Sequence, residues 1–482
     1  MEMIRKGDCM RQWRWMVVPM ALVMMLTACR AQKQEVPSET DAVAIRLGDE
    51  AITVDGKAVS TDTDSAVYVA HDIVYYEEGK DFTYGEGTEK DAHSAEDAAA
   101  HTVVHITKAG TYTISGKLSR GQIAVDLGDG AKKDSTAVVT LVLDNADITC
   151  EVAPAVIFYN VYECGDTDEA NATKDVDTTA AGANVLLADG SVNTVRGSYV
   201  ARIYDPETVE LNENRTEVEE AEKLHKYDAA FYSKRSMNIG GSGVLNVYAE
   251  NEGLDSELHL TINGGKINIF SGNDGINTNE DNVSVTTVNG GELTIRVTGE
   301  TGEGDGIDSN GWLVINGGRV IAAACATSAD AGIDSDKGIH INGGTVIATG
   351  SMLDRIEDGG QNHVVFNFAQ KQTGDLSVVL KNEKGDTVME HAPENAYSVL
   401  VYSSPDLKAD TYTLYSGDTQ VVGQSGGFGG MPPEGFTPPE RPEGNEPPER
   451  PEGGERPTPP EGGFPPMDGG FAPPEERPDS RA

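Results

Sequence analysis

The stretch GDGIDSNGWLVINGGRV, residues 304–320, is followed by the similar stretch DAGIDSDKGIHINGGTV, residues 330–346. Each copy joins an acidic, glycine-flanked phrase to an Asn-Gly-Gly phrase. The Asn-Gly-Gly phrase occurs at Asn263, Asn289, Asn316 and Asn342, with spacings of 26, 27 and 26 residues. A fixed period of this length is typical of a solenoid, because one repeat cannot bury a core alone whereas stacked repeats share one.

Apolar residues align in columns when each repeat is counted from its Asn. One residue before the Asn lie Ile262, Val288, Ile315 and Ile341; four after it lie Ile267, Leu293, Val320 and Val346; six after it lie Ile269, Ile295, Ala322 and Ala348. The last two columns are two residues apart, which is the period of a strand with one face inward and does not fit a helix. The pattern therefore predicts an all-β fold, a single-stranded parallel β-helix of single-turn coils.

The Asn-Gly-Gly phrase is predicted to form the corner between two strands of a coil. Asn and Gly both accept the positive φ that a tight bend demands. On stacked coils, the Asn side chains are then expected to hydrogen-bond along the axis as a ladder.

The acidic phrase supplies another column, Leu254, Ile276, Ile307 and Ile333, and it places oxygen-bearing side chains around that column. The aligned units are EGLD (252–255), DGIN (274–277), DGID (305–308) and AGID (331–334). On coils about 5 Å apart, these side chains form two rows along one edge. Like charges at that spacing repel by about 1 kcal/mol per pair even in water. The rows therefore need a neutralising partner.

Calcium is the predicted partner of the two rows. Between Glu250 and Asp308 there are twelve acids but only two basic residues, Lys266 and Arg296, so internal ion pairs cannot balance the charge. Ca²⁺ takes six to eight oxygens from carboxylates, amides and carbonyls. Any single Asp before Gly is more simply explained as ordinary turn chemistry, and only the column of such residues favours metal. The predicted ligands are Asp255, Asp274, Asn277, Asp305, Asp308, Asp334 and Asp336.

Overall charge and cysteine content exclude other functions. Lys and Arg number 37 against 79 Asp and Glu, and the formal charge of −42 repels nucleic acid and concentrates cations. Cys150, Cys164 and Cys325 show no CxxC spacing, so no zinc site is predicted. A Cys150–Cys164 disulfide and buried free thiols are equal alternatives.

The first 29 residues have the pattern of a bacterial lipoprotein signal. Four basic residues precede an apolar run over 15–28, which ends in Leu-Thr-Ala before Cys29. Signal removal and lipidation at Cys29 would place the chain on the outer face of the membrane, held by the lipid anchor alone. The alternative is an ordinary cleaved signal with Cys29 as a bystander.

Composition divides the remaining chain into four segments. Residues 30–100 are predicted to be a tether, up to about residue 60, followed by a β segment, and residues 101–360 the β-helix, with an insertion at 205–226 whose residues 217–223 are predicted to be a short surface helix. Residues 361–425 are predicted to be a C-terminal β cap that covers the exposed strand edges of the solenoid, or a small β-domain docked on it. Residues 426–482, rich in Pro, Gly and Glu, are predicted to be disordered.

Several phrases together resemble a known family over about residues 100–420. They are DAAFYSK (228–234), GLDS, DGIN, GDGIDS, AGIDS, the repeated INGG and SVLVYSSPDLKADTYTLYSG (398–417). These are similar to the secreted carbohydrate-binding parallel β-helix family of clostridia and their relatives. The resemblance implies a right-handed β-helix, related in fold to pectate lyases, that binds calcium, cellulose and polygalacturonate, with no catalytic activity to be assumed. The chain departs from the family in its insertion and its tail.

The predicted function is extracellular, calcium-dependent binding of a plant-type polysaccharide by a monomer. Tyr232, Lys234, Arg235 and Trp312 are the candidate sugar contacts. A polyanion such as polygalacturonate would be repelled unless metal bridged the two sets of carboxylates, whereas a neutral glucan would need exposed rings such as Trp312, Tyr232 or Phe270. The acidic edge favours the uronate.

Two other functions fit the same pattern. A pectate lyase would abstract a proton with Lys234 or Arg235 held near the metal, although solvated surface is the simpler interpretation of both residues. A cell-surface adhesin would use the solenoid only as a spacer. His259 and His340 are interpreted as strand-surface residues, not as ligands.

Overall fold

The computed structural model describes residues 42–408, 411–417, 419–421 and 424–426. The predicted signal peptide with Cys29, and all but the first residue of the predicted tail, lie outside these ranges. Within them, no helix is long and apolar enough to cross a membrane. The described chain is nearly all β, as predicted.

The N-terminal strands pair directly with the sheets that follow. They are β1 (Val43–Leu47), β2 (Thr53–Val54), β3 (Lys57–Ala58), β4 (Val67–Ala70), β5 (Thr102–Ile106), β6 (Gly110–Leu118), β7 (Gly121–Asp126), β8 (Val139–Cys150) and β9 (Val156–Asn160), with helix α1 (Ala95–Ala99) between β4 and β5. Strand β1 pairs in parallel with β6, and its alternate residues Ile45 and Leu47 are buried. Residues 43–58 therefore form strands, not the predicted tether, because their apolar alternation gives them an inward face.

The insertion at 205–226 also consists of strands. The strands before the insertion are β10 (Ala183–Leu187), β11 (Val192–Gly197) and β12 (Val200–Tyr204). The insertion itself contains β13 (Glu210–Leu211), β14 (Val218–Glu220) and most of β15 (Lys223–Tyr227). Strand β13 pairs antiparallel with β14, and β12 with β15. The helix predicted over 217–223 is wrong. Its sequence, EVEEAEK, has no apolar stripe to bury, whereas pairing of Leu211 with Val218 satisfies the backbone across a turn.

Thirteen strands carry the repeats. They are β16 (Ala229–Ser233), β17 (Met237–Gly241), β18 (Val244–Ala249), β19 (Glu252–Ser256), β20 (His259–Ile262), β21 (Lys266–Ser271), β22 (Ile276–Thr278), β23 (Val285–Val288), β24 (Glu292–Val297), β25 (Trp312–Ile315), β26 (Arg319–Ala323), β27 (Gly338–Ile341) and β28 (Thr345–Gly350).

These strands stack in three parallel ladders. The first ladder is β10–β17–β20–β23–β25–β27. The second ladder is β11–β18–β21–β24–β26–β28. The third ladder is β5–β7–β9–β16–β19–β22, extended by a bridge from Ile276 to Ile307. From β16 to β24 the chain visits the third, first and second ladders in the same order three times.

The predicted apolar columns are confirmed residue by residue. Ile262 pairs with Val288, Val288 with Ile315 and Ile315 with Ile341. The Ile267 and Ile269 columns pair in the same register through β21, β24, β26 and β28. Their side chains form one continuous core.

The Asn ladder is also confirmed. Nδ2 of Asn289 donates to Oδ1 of Asn263 at 2.9 Å, Asn316 to Asn289 at 2.9 Å, and Asn342 to Asn316 at 2.8 Å. The second glycine of every phrase has the predicted positive φ, namely Gly265 (91°), Gly291 (86°), Gly318 (80°) and Gly344 (81°).

The C-terminal strands run antiparallel. They are β29 (His363–Gln372), β30 (Val378–Asn382), β31 (Thr387–His391), β32 (Tyr397–Ser403), β33 (Tyr412–Ser416), β34 (Thr419–Val421) and β35 (Gln424–Gly426). Strand β32 pairs with β28 and with β29, and so covers the outer edge of the last strand of the second ladder. Buried Phe366, Leu380, Leu400 and Leu414 belong to a separate core in this region.

Candidate functional site

The acidic phrases stack into two rows along the third ladder. Asp255 pairs with Asn277, and the amide N–H groups of Asp308 and Asp334 bond the carbonyls of Ile276 and Ile307 at 2.8 and 2.7 Å. The amides of Gly253, Gly275 and Gly306 each bond the carbonyl of the residue at the start of the next phrase, at 3.0 Å in all three cases. We call Asp255, Asn277, Asp308 and Asp334 the first acidic row, and Glu252, Asp274 and Asp305 the second acidic row.

The glycines of the acidic phrases are required by close stacking, not by turn geometry. A Cβ on Gly253 would lie 2.5 Å from the oxygen of Gly275, and one on Gly275 would lie 2.6 Å from the oxygen of Gly306. Neither glycine has a positive φ. The alternative that these phrases are ordinary Asp-Gly turns therefore does not describe them.

Burial raises the pKa of carboxyl groups in both rows. In the second row, burial followed by the charge of Asp255 raises the pKa of Glu252 well above its usual range, and burial followed by the charge of Asp274 raises that of Asp305 to about 10. In the first row, burial raises the pKa of Asp308 to about 6 and that of Asp334 to about 7. These carboxylates lack enough positive partners in the protein itself.

Several oxygens in the rows have no hydrogen-bond donor. Oε2 of Glu252, Oδ1 of Asn277 and Oδ1 of Asp334 are buried and have no partner in the described part of the chain. Asp255 is better satisfied, since Nδ2 of Asn279 lies 2.9 and 3.1 Å from its two carboxylate oxygens. Acceptors outnumber donors in the rows, and an added cation would correct that imbalance.

The donor chemistry of the rows suits a hard cation, although no complete metal cage is already formed. No three His, Cys, Asp or Glu side chains within the described ranges are grouped so that they hold a metal ion. The unpaired oxygens are carboxylate and amide oxygens, the types that Ca²⁺ prefers. Asp336, also among the predicted ligands, is exposed. Calcium binding here stays a prediction.

Sequence reasoning left several acids that act on the rows out of the predicted ligands, among them Glu252, Asp228 and Asp354. Burial is the main cause of the raised pKa values, to which the charge of Asp228 adds for Glu252 and Asp255, and the charge of Asp354 adds for Asp334. Glu252 occupies the row position of its own repeat, so the alignment contained the signal for it. Asp228 and Asp354 lie outside the repeated phrases, and only the fold brings them there.

The predicted sugar contacts do not form one surface. Tyr232 is 1% exposed and packs against Tyr227 with ring centroids 5.2 Å apart, so its ring is not a binding platform as predicted. Nζ of Lys234 lies 5.5 Å from the Tyr227 ring centroid, and Arg235 donates to the Lys234 carbonyl at 3.1 Å. Trp312 is on the first ladder, with Nζ of Lys337 5.2 Å from its ring centroid.

Two further expectations are corrected by burial. Phe270 stacks on Tyr248 at 5.4 Å and 9°, so one face of its ring is covered and is not free for a sugar. His259 is 3% exposed, not on the strand surface, and its Nδ1 accepts from the amide of Val285 at 3.1 Å. His340 is partly exposed, as predicted.

The three described cysteines are free thiols. Cys150 and Cys325 are buried and Cys164 is partly buried. Of the two alternatives, the free thiols are observed and the Cys150–Cys164 disulfide is not.

The chain is similar to a protein family, to a sequence relative and to a solved structure. A family model described as "Carbohydrate-binding domain-containing protein" matches residues 100–181 and 167–365, more than half of the chain. A carbohydrate-binding domain-containing protein of Acetivibrio thermocellus is 31% identical over 168 residues, which are 34% of this chain and 44% of the relative's length. The solved structure of the polysaccharide lyase-like protein from C. thermocellum has a TM-score of 0.36 and 19% identity, over 66% of this chain and 94% of that one. The family match includes both acidic rows and the Asn ladder.

Proposed function

From the premise that this chain belongs to the carbohydrate-binding domain family, we propose that it is an extracellular protein that binds plant-type polysaccharide with calcium in its acidic rows. The observation that carries the calcium part is the pair of stacked rows, in which buried acids with raised pKa values adjoin oxygens that lack donors. The family membership carries the polysaccharide part.

Three residues would hold the cation at the N-terminal end of the rows, where the first two acidic phrases stack. Glu252, Asp255 and Asn277 are buried neighbours, and Oε2 of Glu252 and Oδ1 of Asn277 are unpaired. Asp274, Asp305, Asp308 and Asp334 extend the same set of oxygens along the stack. Bound calcium would neutralise the rows and bridge them to the carboxylates of a uronate polymer. The preferred ligand under this proposal is therefore polygalacturonate.

We also propose that the stacked turns form a right-handed, single-stranded parallel β-helix. The parallel ladders, visited in the same order by successive turns, support this architecture.

We further propose that, on the cell, Cys29 carries the lipid anchor. Replacing Cys29→Ala is expected to move the protein from the membrane fraction to the medium.

The decisive experiment is a pull-down on insoluble pectate and on insoluble glucan, with calcium and with EDTA. We expect retention on pectate in calcium and its loss in EDTA. The double variant Asp305→Asn/Asp308→Asn should lose retention, and Asp144→Asn/Asp189→Asn, at acids outside the rows, should keep it. Retention on neither polymer in either buffer would contradict the proposal.

Pectate lyase action is a second candidate, favoured by one observation. Burial lowers the pKa of Lys234, as a proton-abstracting base requires. Incubation with polygalacturonate and calcium would then produce unsaturated uronides that absorb in the ultraviolet. If no absorbance develops while pectate is retained, the protein is a binding module alone.

A further inference from the structure

A polar cleft of about 620 Å³ opens on the outward face of the first ladder and shares no lining residue with the acidic rows. We propose that this cleft is a saccharide site for a neutral polysaccharide chain and that it works without calcium. The proposal rests on the carbohydrate-binding function proposed above and deepens it by assigning a place and a ligand class. The volume of the cleft is in the range of ordinary small-ligand sites.

One wall of the cleft is the segment that joins β9 to β10. Oγ1 of Thr178 donates to Oδ1 of Asn238 at 2.8 Å and bonds Oγ1 of Thr261 at 2.7 Å. Earlier in the segment, Glu169 accepts from Nζ of Lys337 at 3.2 Å. The wall is therefore held to residues that come much later in the chain.

The floor and the opposite wall repeat with the coils. Thr261, Thr287 and Val314 pair in register across β20, β23 and β25 and line the floor. The opposite wall is the Asn ladder, from Asn263 to Asn316. Neighbouring coils are about 4.8 Å apart, so hydroxyl and amide groups recur at a regular step along the cleft. A polymer of sugar units offers hydroxyl groups at a similarly regular step.

Two side chains in the cleft have unused hydrogen-bonding capacity. Thr287 is only 8% exposed, yet its hydroxyl has no partner among the described residues. Asn263 heads the ladder, so its Oδ1 accepts from Asn289 while its Nδ2 has no acceptor in the described chain. Donors and acceptors that are lined up but unpaired suit the hydroxyl groups of a sugar, each of which both donates and accepts.

The charges at the cleft favour a neutral chain over a uronate. The one lysine in the lining, Lys174, is paired, with its Nζ 2.6 Å from Oδ1 of Asp175. Asp177 contributes a further carboxylate, which accepts from the amide and the hydroxyl of Thr179 at 3.0 and 2.7 Å. The lining thus has two acids and one matched cation, and a sugar carboxylate would meet no free positive group.

Two variants and two matched controls test the site. Thr287→Val removes the unpaired hydroxyl and keeps the side-chain shape, and Thr294→Val makes the same change on β24, outside the cleft. Val176→Trp fills the cleft from its wall, and Val192→Trp adds the same bulk at an exposed valine on β11. Thermal melting of each variant checks that it is folded. Binding of cellohexaose and of trigalacturonate is measured by calorimetry on the full chain, with calcium and with EDTA.

We expect cellohexaose to bind equally in both buffers, about 5-fold more weakly to Thr287→Val and not detectably to Val176→Trp, with both controls unchanged. If wild type and both cleft variants bind cellohexaose alike, or if wild type binds trigalacturonate and not cellohexaose, the cleft is overturned, and retention on pectate in calcium decides the proposed function separately. If Val176→Trp removes binding of trigalacturonate instead, the neutral ligand class is overturned. If wild type binds neither oligosaccharide and no insoluble polysaccharide, the proposed function fails and the cleft assignment fails with it.

Discussion

The Asn ladder and the acidic rows are built by the same stacking of coils, but they differ in hydrogen bonding and charge. The Asn side chains are neutral and pair with each other, whereas the acids repel each other and lack enough donors. Each Asn side chain has both a donor and an acceptor, so the inner members of the ladder, Asn289 and Asn316, are paired on both sides and only the end residues keep an open group. Ionised carboxylates only accept, so burial first, and then the charge of neighbouring acids in the stack, raises the pKa values of Glu252 and Asp305. A periodic column of amides is therefore complete as structure, whereas a column of acids requires something from outside the chain.

The largest expected effect comes from crowding the acidic phrase. Gly275→Ala is expected to cost about 3 kcal/mol of unfolding free energy, because the new Cβ meets Ile295 and the carbonyl of Gly306. Urea unfolding measures the loss. Gly130→Ala is the control, since no atom lies within 4 Å of a Cβ there. Equal small losses in the two variants would mean that the coils are not stacked this closely.

The second-largest expected effect is stabilisation by calcium, which should depend on the acidic rows and not on the Asn ladder. At a hundredfold excess over its dissociation constant, calcium should add about 2.7 kcal/mol to the stability of the wild-type protein. The double variant Asp305→Asn/Asp308→Asn should gain much less. A urea midpoint that is the same in calcium and in EDTA would remove the rows as a metal site.

A smaller effect is expected for Asp305→Asn, whose loss of unfolding free energy should be greater in calcium than in EDTA. Asp305→Asn keeps the acceptor for the Ala331 amide, and burial already drives the pKa of the Asp305 carboxyl to about 10. In EDTA we therefore expect at most about 0.5 kcal/mol of change, and in calcium a loss of about 1.5 kcal/mol, because a charged ligand is gone. Chemical unfolding in both buffers measures the difference. The same loss in each would indicate a purely structural role for this acid.

The smallest expected effect is the stability loss of a variant in the Asn ladder, and it should not depend on calcium. Asn289→Ala removes the middle of the ladder and leaves Oδ1 of Asn263 and Nδ2 of Asn316 unpaired. Because these groups are partly exposed, we expect a loss of about 1 kcal/mol. The loss should be equal in calcium and in EDTA. A calcium-dependent loss would couple the ladder to the acidic rows and break the contrast between them.

The repeat region was predictable because its signals are local and periodic. Counting from each Asn placed Ile262, Ile267 and Ile269 in the correct columns, since a strand alternates its faces every two residues. The same count placed Asp255, Asn277 and Asp308 in one row. Predictions that did not rest on the repeat period were less successful. The charged stretch at 217–223 was predicted to be a helix but is largely strand, and Tyr232 was predicted to be exposed but is buried.

In the repeat region, the sequence by itself determined the strands, their register and the rows of acids, because a 26- or 27-residue period and a two-residue alternation leave few ways to stack the chain. Only the tertiary structure decided which carboxylates outside the repeats join the rows and where the wall of the polar cleft lies. Asp354 and the bond between Glu169 and Lys337 depend on contacts between residues far apart in the chain. Such contacts follow from how loops close over the stack, and no local period encodes them.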